Sequence, residues 1–143
     1  MGAEEKKVKH LEFVQSNIAR MNQCSFQMKG WMITVVSAML ALYAASISSE
    51  SGSGNNMFIY TAVVPTILFW YLDSYYLKQE RKFRGVYNDL IGISSCVEVK
   101  EFEMPLGKYV GCEYCVLQVM FSKSEGPLYC LMIIGLLIAG TYL

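Results

Sequence analysis

Three long windows without a charged residue constrain this chain more than any other feature. They cover residues 30–49, 51–72 and 126–143, whereas charged residues are dense between them. Each window is close to the roughly 20 apolar residues that an α-helix needs to cross a bilayer core. A soluble protein can bury one such helix, but three indicate an integral membrane protein. We predict a mainly α fold with three transmembrane helices and a small cytoplasmic helical module.

The second window runs directly into a segment of mixed charge with a basic excess. Asp73 ends the uncharged run, and no glycine or proline occurs in residues 66–84. Nothing therefore obliges the helix to stop at the membrane surface. The sequence predicts one long helix with an apolar half in lipid and a charged half in water. Such a helix can carry a signal from a soluble module to a membrane pore.

The windows divide the chain into six segments. In residues 1–29, apolar residues recur at helical spacing from Val8 to Met28, which predicts a cytoplasmic amphipathic helix. This helix either lies on the membrane surface or packs on the charged half of the long helix, and its mixed polar face favours packing. The other segments are a first span (30–49), an outer loop (50–56), a second span (57–76) continuing as a cytoplasmic helix to about residue 91, a cytoplasmic segment (92–125) and a third span (126–143).

The cytoplasmic segment 92–125 has weaker patterns. Gly92 is predicted to end the long helix. Residues 96–104 partly alternate polar and apolar side chains, which is typical of a short strand or an extended arm. Residues 109–121 are predicted to form a short apolar helix that returns the chain to the membrane.

The placement of lysine and arginine residues predicts how the chain is oriented across the membrane. Basic residues precede the first span and follow the second, whereas residues 47–56 contain none. The N-terminus and the segment after the second span are therefore expected in the cytoplasm. A signal peptide is not expected, because 29 polar and amphipathic residues precede the first apolar window.

Small and hydroxylated residues follow one face of the first span. Thr34, Ser37 and Ser48 fall on this face together with several alanines. Small residues allow close packing of membrane helices, and their hydroxyls can form hydrogen bonds across the contact. Alternatively, the three hydroxyls line a narrow water-filled pore. One chain with three spans cannot surround a pore, so that interpretation requires a homo-oligomer.

Asp73 lies at the end of the second span, within a belt of aromatic residues. Acidic residues at this depth are candidates for a functional site. One interpretation is an interfacial carboxylate that is solvated or paired with a lysine. The other is an acidic ring that attracts cations to the mouth of a pore.

Basic and aromatic residues are interleaved after the second span. Cations beside aromatic rings suit a ligand that carries phosphates and stackable bases, but they equally suit anionic lipid headgroups. The candidate ligand-binding residues are Lys78, Arg81, Lys82, Arg84 and Tyr87.

The sequence contains few residues that could catalyse a reaction or bind a metal ion. The single C-x-x-C pair, Cys112 and Cys115, supplies two of the four ligands of a structural zinc site, and Cys96 and the only histidine, His10, could complete the set only if the fold assembled them. No nucleophile-and-base motif is present. We therefore expect no catalytic residues, no metal site, no cofactor and no enzymatic activity.

Three motifs give the chain a resemblance to a known family. KGW opens the first span, FWYLDSYYLKQER closes the second, and MFSKS precedes the third. In this combination the chain resembles small three-span bacterial membrane effectors of anti-phage systems, encoded beside nucleotidyltransferases, of the Hailong channel type. The resemblance implies an oligomeric ion channel in the bacterial inner membrane, controlled by a nucleotide or oligonucleotide messenger, that depolarises the membrane on infection.

The function predicted is thus a homo-oligomeric ion channel, for example a tetramer, that acts as an anti-phage effector. Its partners would be the lipid bilayer, further copies of itself, and a nucleotide or oligonucleotide made by a partner nucleotidyltransferase. The alternative is a non-conducting membrane anchor or adaptor that recruits a cytoplasmic protein. A membrane-bound enzyme is a third class, and it would depend on His10, Cys112 or Cys115.

Overall fold

The computed structural model describes residues 2–47 and 54–142, with only the backbone at position 3. The predicted pore-lining residue Ser48 and most of the predicted outer loop lie outside the described residues. The described chain is mainly helical and contains no strand. Its helices are α1 (Ala3–Ala45), α2 (Met57–Ile91), α3 (Val116–Met120) and α4 (Gly126–Tyr142), with short 3₁₀ turns at Leu106–Lys108 and Cys112–Tyr114.

Helix α1 joins two predicted segments without interruption. It contains 43 residues and runs through the boundary predicted at residue 30. At 1.5 Å per residue it is about 65 Å long, which exceeds the thickness of a bilayer core. A single glycine, Gly30, weakens a helix by only about 1 kcal/mol, so it does not break α1. The amphipathic segment and the apolar window are therefore one rigid element.

Helices α1 and α2 pack antiparallel along most of their length. The apolar halves share a core to which Met32 and Val36 of α1 and Ile59 and Ala62 of α2 belong. At the other end, Val14 of α1 packs with Val86 of α2. The predicted packing of the amphipathic segment on the charged half of α2 is confirmed. The buried and half-buried positions of α1 together recur every three or four residues, so one face of α1 contacts α2 throughout.

The predicted end of α2 is confirmed, but the strand, one of the two alternatives for residues 96–104, and the full length of the predicted helix 109–121 are wrong. Gly92 has φ of 80°, the left-handed conformation that glycine adopts most easily, and its N–H bonds to the Asp89 carbonyl. Residues 96–104 form turns and irregular backbone instead of a strand. The predicted helix 109–121 is confined to Val116–Met120, because Tyr109 packs against α2 and Cys115 is extended.

Two helices, α1 and α2, are long and apolar enough to cross a membrane by length and composition. The third apolar window forms α4, which has 17 residues and is shorter. Helix α4 packs on the apolar half of α2. The Tyr60 hydroxyl donates to the Gly140 carbonyl at 2.8 Å, and the Asn56 side-chain amide donates to the same oxygen at 3.0 Å.

Gly85 provides a test of the packing between α2 and the segment that follows it. A Cβ at Gly85 would lie 2.7 and 2.8 Å from two ring carbons of Tyr109. We expect Gly85→Ala to lower the free energy of unfolding by about 1–3 kcal/mol, because this overlap exceeds the gain in helix propensity. Thermal unfolding in detergent measures the effect. The control is Gly135→Ala in α4, where a Cβ meets nothing within 4 Å and slight stabilisation is expected.

Candidate functional site

Five polar side chains meet where the apolar and charged halves of α2 join; we name them the polar cluster. They are Ser25 and Lys29 of α1, Asp73 of α2, Glu125 and Tyr129. The Lys29 ammonium lies 2.7 Å from an Asp73 oxygen and 2.8 Å from a Glu125 oxygen. The hydroxyls of Ser25 and Tyr129 both donate to Asp73. The cluster therefore connects α1, α2 and the start of α4.

Burial makes these contacts energetically important. Asp73 and Tyr129 are fully buried, and Glu125 is 4% exposed. A buried carboxylate is unfavourable unless a cation and hydrogen-bond donors compensate it, and Lys29 is the cation that serves both carboxylates. Stacked and edge-on rings cover the cluster, since Trp70 lies 5.8 Å from Tyr129 between ring centroids. Any movement of α1 against α4 must therefore rearrange this ion pair.

The position of Asp73 matches the lysine-paired interpretation from the sequence. Its side chain is surrounded by α1 and α4 within one chain and has no exposed surface. In this arrangement it does not present a carboxylate to solvent. An acidic ring at a pore mouth would require the helices to separate.

The face of α1 opposite α2 carries a continuous row of small and polar residues, which we name the α1 seam. Every residue in it is exposed. The row follows a seven-residue repeat, the periodicity with which helices associate along their length. The two sets are Ser16, Gln23, Gly30, Ser37 and Ala44, and, four residues on, Arg20, Gln27, Thr34 and Ala41.

Thr34 and Ser37 belong to the α1 seam. Thr34 donates its hydroxyl hydrogen to the Gly30 carbonyl at 2.9 Å, within its own helix. Neither residue packs against α2 or α4. The packing interpretation of these two hydroxyls therefore does not hold within one chain, and their outward faces are open to water, lipid or a second molecule.

The five predicted ligand-binding residues do not converge on one free surface. Arg81 donates to the Glu113 carbonyl at 3.3 Å, and Lys82 donates to the Leu106 carbonyl at 3.1 Å. Both side chains thus attach the segment 92–125 to α2. Arg84 pairs with the buried Glu80. Lys78 makes no ion pair with any residue in the described ranges.

Arg81, Arg84 and Tyr87 nevertheless line adjoining depressions around Asn88, which we name the Asn88 groove. One depression, of about 330 Å³, lies beside Arg81 and Arg84. The next, of about 360 Å³, lies between α1 and α2 beside Arg84 and Tyr87. A third, of about 480 Å³, reaches Lys108. The further lining residues Gly85, Glu113 and Tyr114 are shared by the first and third depressions.

Asp89 organises the far end of α2, and no sequence pattern pointed to it. Its carboxylate accepts hydrogen bonds from the backbone N–H of Cys96 at 3.1 Å and of Val97 at 3.2 Å. The hydroxyls of Ser94 and Tyr109 donate to it as well, the latter at 2.5 Å. A single side chain thus fixes the loop after Gly92. The only feature of the sequence that could have indicated this role is that Asp89 is an acidic residue three positions before Gly92, the glycine that ends α2.

Burial and the hydrogen bonds to Asp89 together shift the pKa values of Asp89 and Tyr109. Burial acts to raise the pKa of Asp89, but the donors from Ser94, Tyr109 and the two backbone N–H groups outweigh it, so the pKa lies below its usual value. Burial, and then the hydrogen bond to Asp89, raises the pKa of the Tyr109 phenol.

The lowered pKa of Asp89 predicts that the folded protein loses stability in acid. Its stabilising contribution is fully present above the unfolded-state pKa of about 3.9 and is lost as the pH falls through the lower folded-state pKa. Asp89→Asn should therefore unfold more easily than wild type at neutral pH, by on the order of 1–3 kcal/mol, and the difference should shrink toward pH 3. Melting temperatures across this range measure the effect. A difference that is constant with pH would contradict it.

The cysteines and the histidine do not form a metal site in the described part of the chain. No group of three or more potential ligands comes together there. Cys96, Cys112 and Cys115 are exposed, and His10 lies in a separate cavity.

Comparison of the chain with protein-family models, with curated proteins and with solved structures gives no match.

Proposed function

We propose that this protein is a homo-oligomeric ion channel of the bacterial inner membrane, with α1 as the pore-lining helix. The observation that carries the proposal is the α1 seam. Its polar members Thr34 and Ser37 lie within an apolar window and pack against no other helix in the described part of the chain, although the Thr34 hydroxyl bonds to the Gly30 carbonyl of its own helix. Hydroxyls facing lipid gain no hydrogen bonds, whereas hydroxyls facing a water-filled pore do.

Continuity of the α1 seam supports the same proposal. Small residues, including Gly30 and Ala41, allow helices from several copies to approach closely. Beyond the membrane the seam continues through Gln27, Gln23 and Arg20, so a pore would open into a polar vestibule. In this arrangement α4 is the third membrane-spanning helix, and the N-terminus lies in the cytoplasm.

We further propose that a phosphate-bearing ligand in the Asn88 groove controls this channel. A nucleotide or oligonucleotide from a partner nucleotidyltransferase fits the chemistry of the groove, since arginines can contact phosphates and Tyr114 can stack on a base. Helix α2 connects the groove directly to the membrane half of the protein. Opening the pore during phage infection would depolarise the cell, which is the role of an anti-phage effector.

Flux from liposomes tests both parts of this proposal. Purified protein in potassium-loaded vesicles should release potassium, and ATP or a random-sequence single-stranded DNA oligonucleotide should change the rate. Asn88→Ala should lose the ligand response but keep the basal flux. Lys100→Ala, an exposed change outside the groove, is the control. Potassium flux that is present but unaffected by either ligand would contradict ligand control through the Asn88 groove. It would not contradict the channel function.

An adaptor function is the second candidate, and one observation favours it. Arg81 and Lys82 are engaged by backbone carbonyls and do not face an open site. A non-conducting anchor would need no ligand groove and would recruit a soluble protein. It predicts vesicles that never leak and co-purification of a specific cytoplasmic protein.

A further inference from the structure

We propose that the cavity between the start of α1 and the end of α2 binds a small phosphate-bearing ligand from solution. The cavity is about 320 Å³, at the lower end of the range for small-molecule sites. Its polar lining consists of Lys6, Lys7, His10, Asp89 and Glu101, with two aliphatic side chains beside them. It is separate from the Asn88 groove, and the proposed channel function does not assign it.

His10 provides the first observation. It is 2% exposed, and its Nδ1 accepts a hydrogen bond from the backbone N–H of Phe102 at 3.3 Å. The neutral imidazole must then carry its hydrogen on Nε2. Nε2 is buried and has no hydrogen-bond partner among the residues that the structure describes. A buried N–H without an acceptor is unfavourable, so an acceptor atom brought in by a ligand would stabilise it.

The other polar side chains of the cavity lining show which kind of ligand would fit. Both oxygens of Asp89 already accept hydrogen bonds from the loop after α2. Glu101 is paired with Lys6 at 3.2 Å. Lys7 makes no ion pair or hydrogen bond with the described residues. Among the described lining residues, the groups without a partner are therefore donors: the exposed Lys7 ammonium, and His10 Nε2–H, which a ligand oxygen reaches only if the side chains that cover it move. Their complement is an anionic group with several acceptor oxygens, which describes a phosphate.

The backbone around the cavity is held in an unusual conformation. Phe102 has φ of 57°, which an aromatic residue rarely adopts, and its ring stacks on His10 with 5.5 Å between centroids. Strain of this kind persists only where the surroundings enforce it, and it is frequent at ligand clamps. A phosphate on His10 would tie the segment around Phe102 to α1.

The position of the cavity favours a soluble ligand over a lipid headgroup. His10 precedes Gly30 by 20 residues, which corresponds to about 30 Å along α1. If the membrane begins near residue 30, a headgroup phosphate lies too far away. This step rests on the proposed membrane placement, whereas the cavity and its donors do not.

Because His10 is the only histidine, its side chain can be observed without ambiguity. The full chain, labelled with ¹⁵N-histidine in detergent micelles, is titrated with inorganic phosphate at constant pH and ionic strength. We expect a saturable shift of the single imidazole Nε2 signal. Lys7→Gln should require roughly tenfold more phosphate, because it removes one charge-assisted contact. Lys9→Gln, the same change two residues on, should titrate as wild type does.

Two results would overturn the proposal. One is an imidazole signal that does not move with millimolar phosphate. The other is a Lys7→Gln titration that matches Lys9→Gln. Phosphatidylglycerol and phosphatidylcholine nanodiscs distinguish the lipid source: a signal that differs between them but ignores free phosphate would identify a headgroup and contradict a soluble ligand. No part of the measurement depends on conductance, so its result does not depend on whether the channel proposal is correct.

Discussion

Replacing Lys29 by methionine is expected to lower the free energy of unfolding by about 3–5 kcal/mol. The substitution leaves the buried carboxylates of Asp73 and Glu125 without the cation that lies within 2.8 Å of both. Removing one member of a buried ion pair costs more than the pair contributes, because the remaining charge stays desolvated. Thermal unfolding in detergent measures the loss, which should lower the melting temperature by on the order of 10 °C.

A matched lysine shows whether burial is the cause. Lys9 pairs with Glu5 at 3.7 Å on the exposed face of α1, and exposed pairs contribute at most about 1 kcal/mol. Lys9→Met should therefore melt close to wild type. Adding Asp73→Asn to Lys29→Met should recover part of the stability, since it removes one of the two buried carboxylates that have lost their cation. Equal melting temperatures for the Lys29 and Lys9 variants would show that the polar cluster does not hold the helices together.

Ser37→Leu is expected to abolish conduction without disturbing the fold. Ser37 is exposed in the apolar half of the α1 seam, so a larger side chain there has room within one chain. In an oligomer with α1 around the pore, a ring of leucines would narrow the passage and exclude water from it. We expect potassium efflux from expressing cells to fall roughly tenfold or more at equal membrane abundance, with an unchanged melting temperature.

The control for Ser37→Leu is a similar change on another exposed helix face. Gly135 of α4 is exposed, and a Cβ there meets nothing within 4 Å. Gly135→Leu should leave the efflux at the wild-type rate, and Ser37→Ala should largely preserve it. Equal loss in Gly135→Leu would indicate a general effect on membrane insertion. Full efflux through Ser37→Leu would exclude α1 as the pore lining.

The course of α2 was predictable because local chemistry determines it. Uninterrupted apolar and charged residues carry α2 through Asp73, and Gly92 ends it with the positive φ that glycine permits. The apolar row from Val8 to Met28 predicted an amphipathic helix, and the mixed charge of its polar face favoured packing on the charged half of α2. These features depend on neighbours within a few positions, which a sequence displays directly.

The contacts of the polar cluster were not predictable, because they join residues far apart in the chain. Ser25 and Tyr129 are 48 and 56 positions from Asp73. The sequence offered a lysine-paired carboxylate as one interpretation but could not select Lys29. It likewise could not show that Arg81 and Lys82 would bind backbone carbonyls, since carbonyls occur everywhere. His10 attracted attention only as a possible catalytic or metal-binding group, because its cavity forms from three separate segments.

Single-channel recording of the purified protein in planar bilayers tests the pore proposal most directly. The predicted result is discrete current steps in wild type, and a Ser37→Cys variant whose currents are blocked by a charged thiol reagent that leaves wild type unaffected. Block at this position would place Ser37 in the conducting path. Bilayers that contain inserted protein but stay silent, with the protein monomeric in detergent, would contradict a pore built from α1.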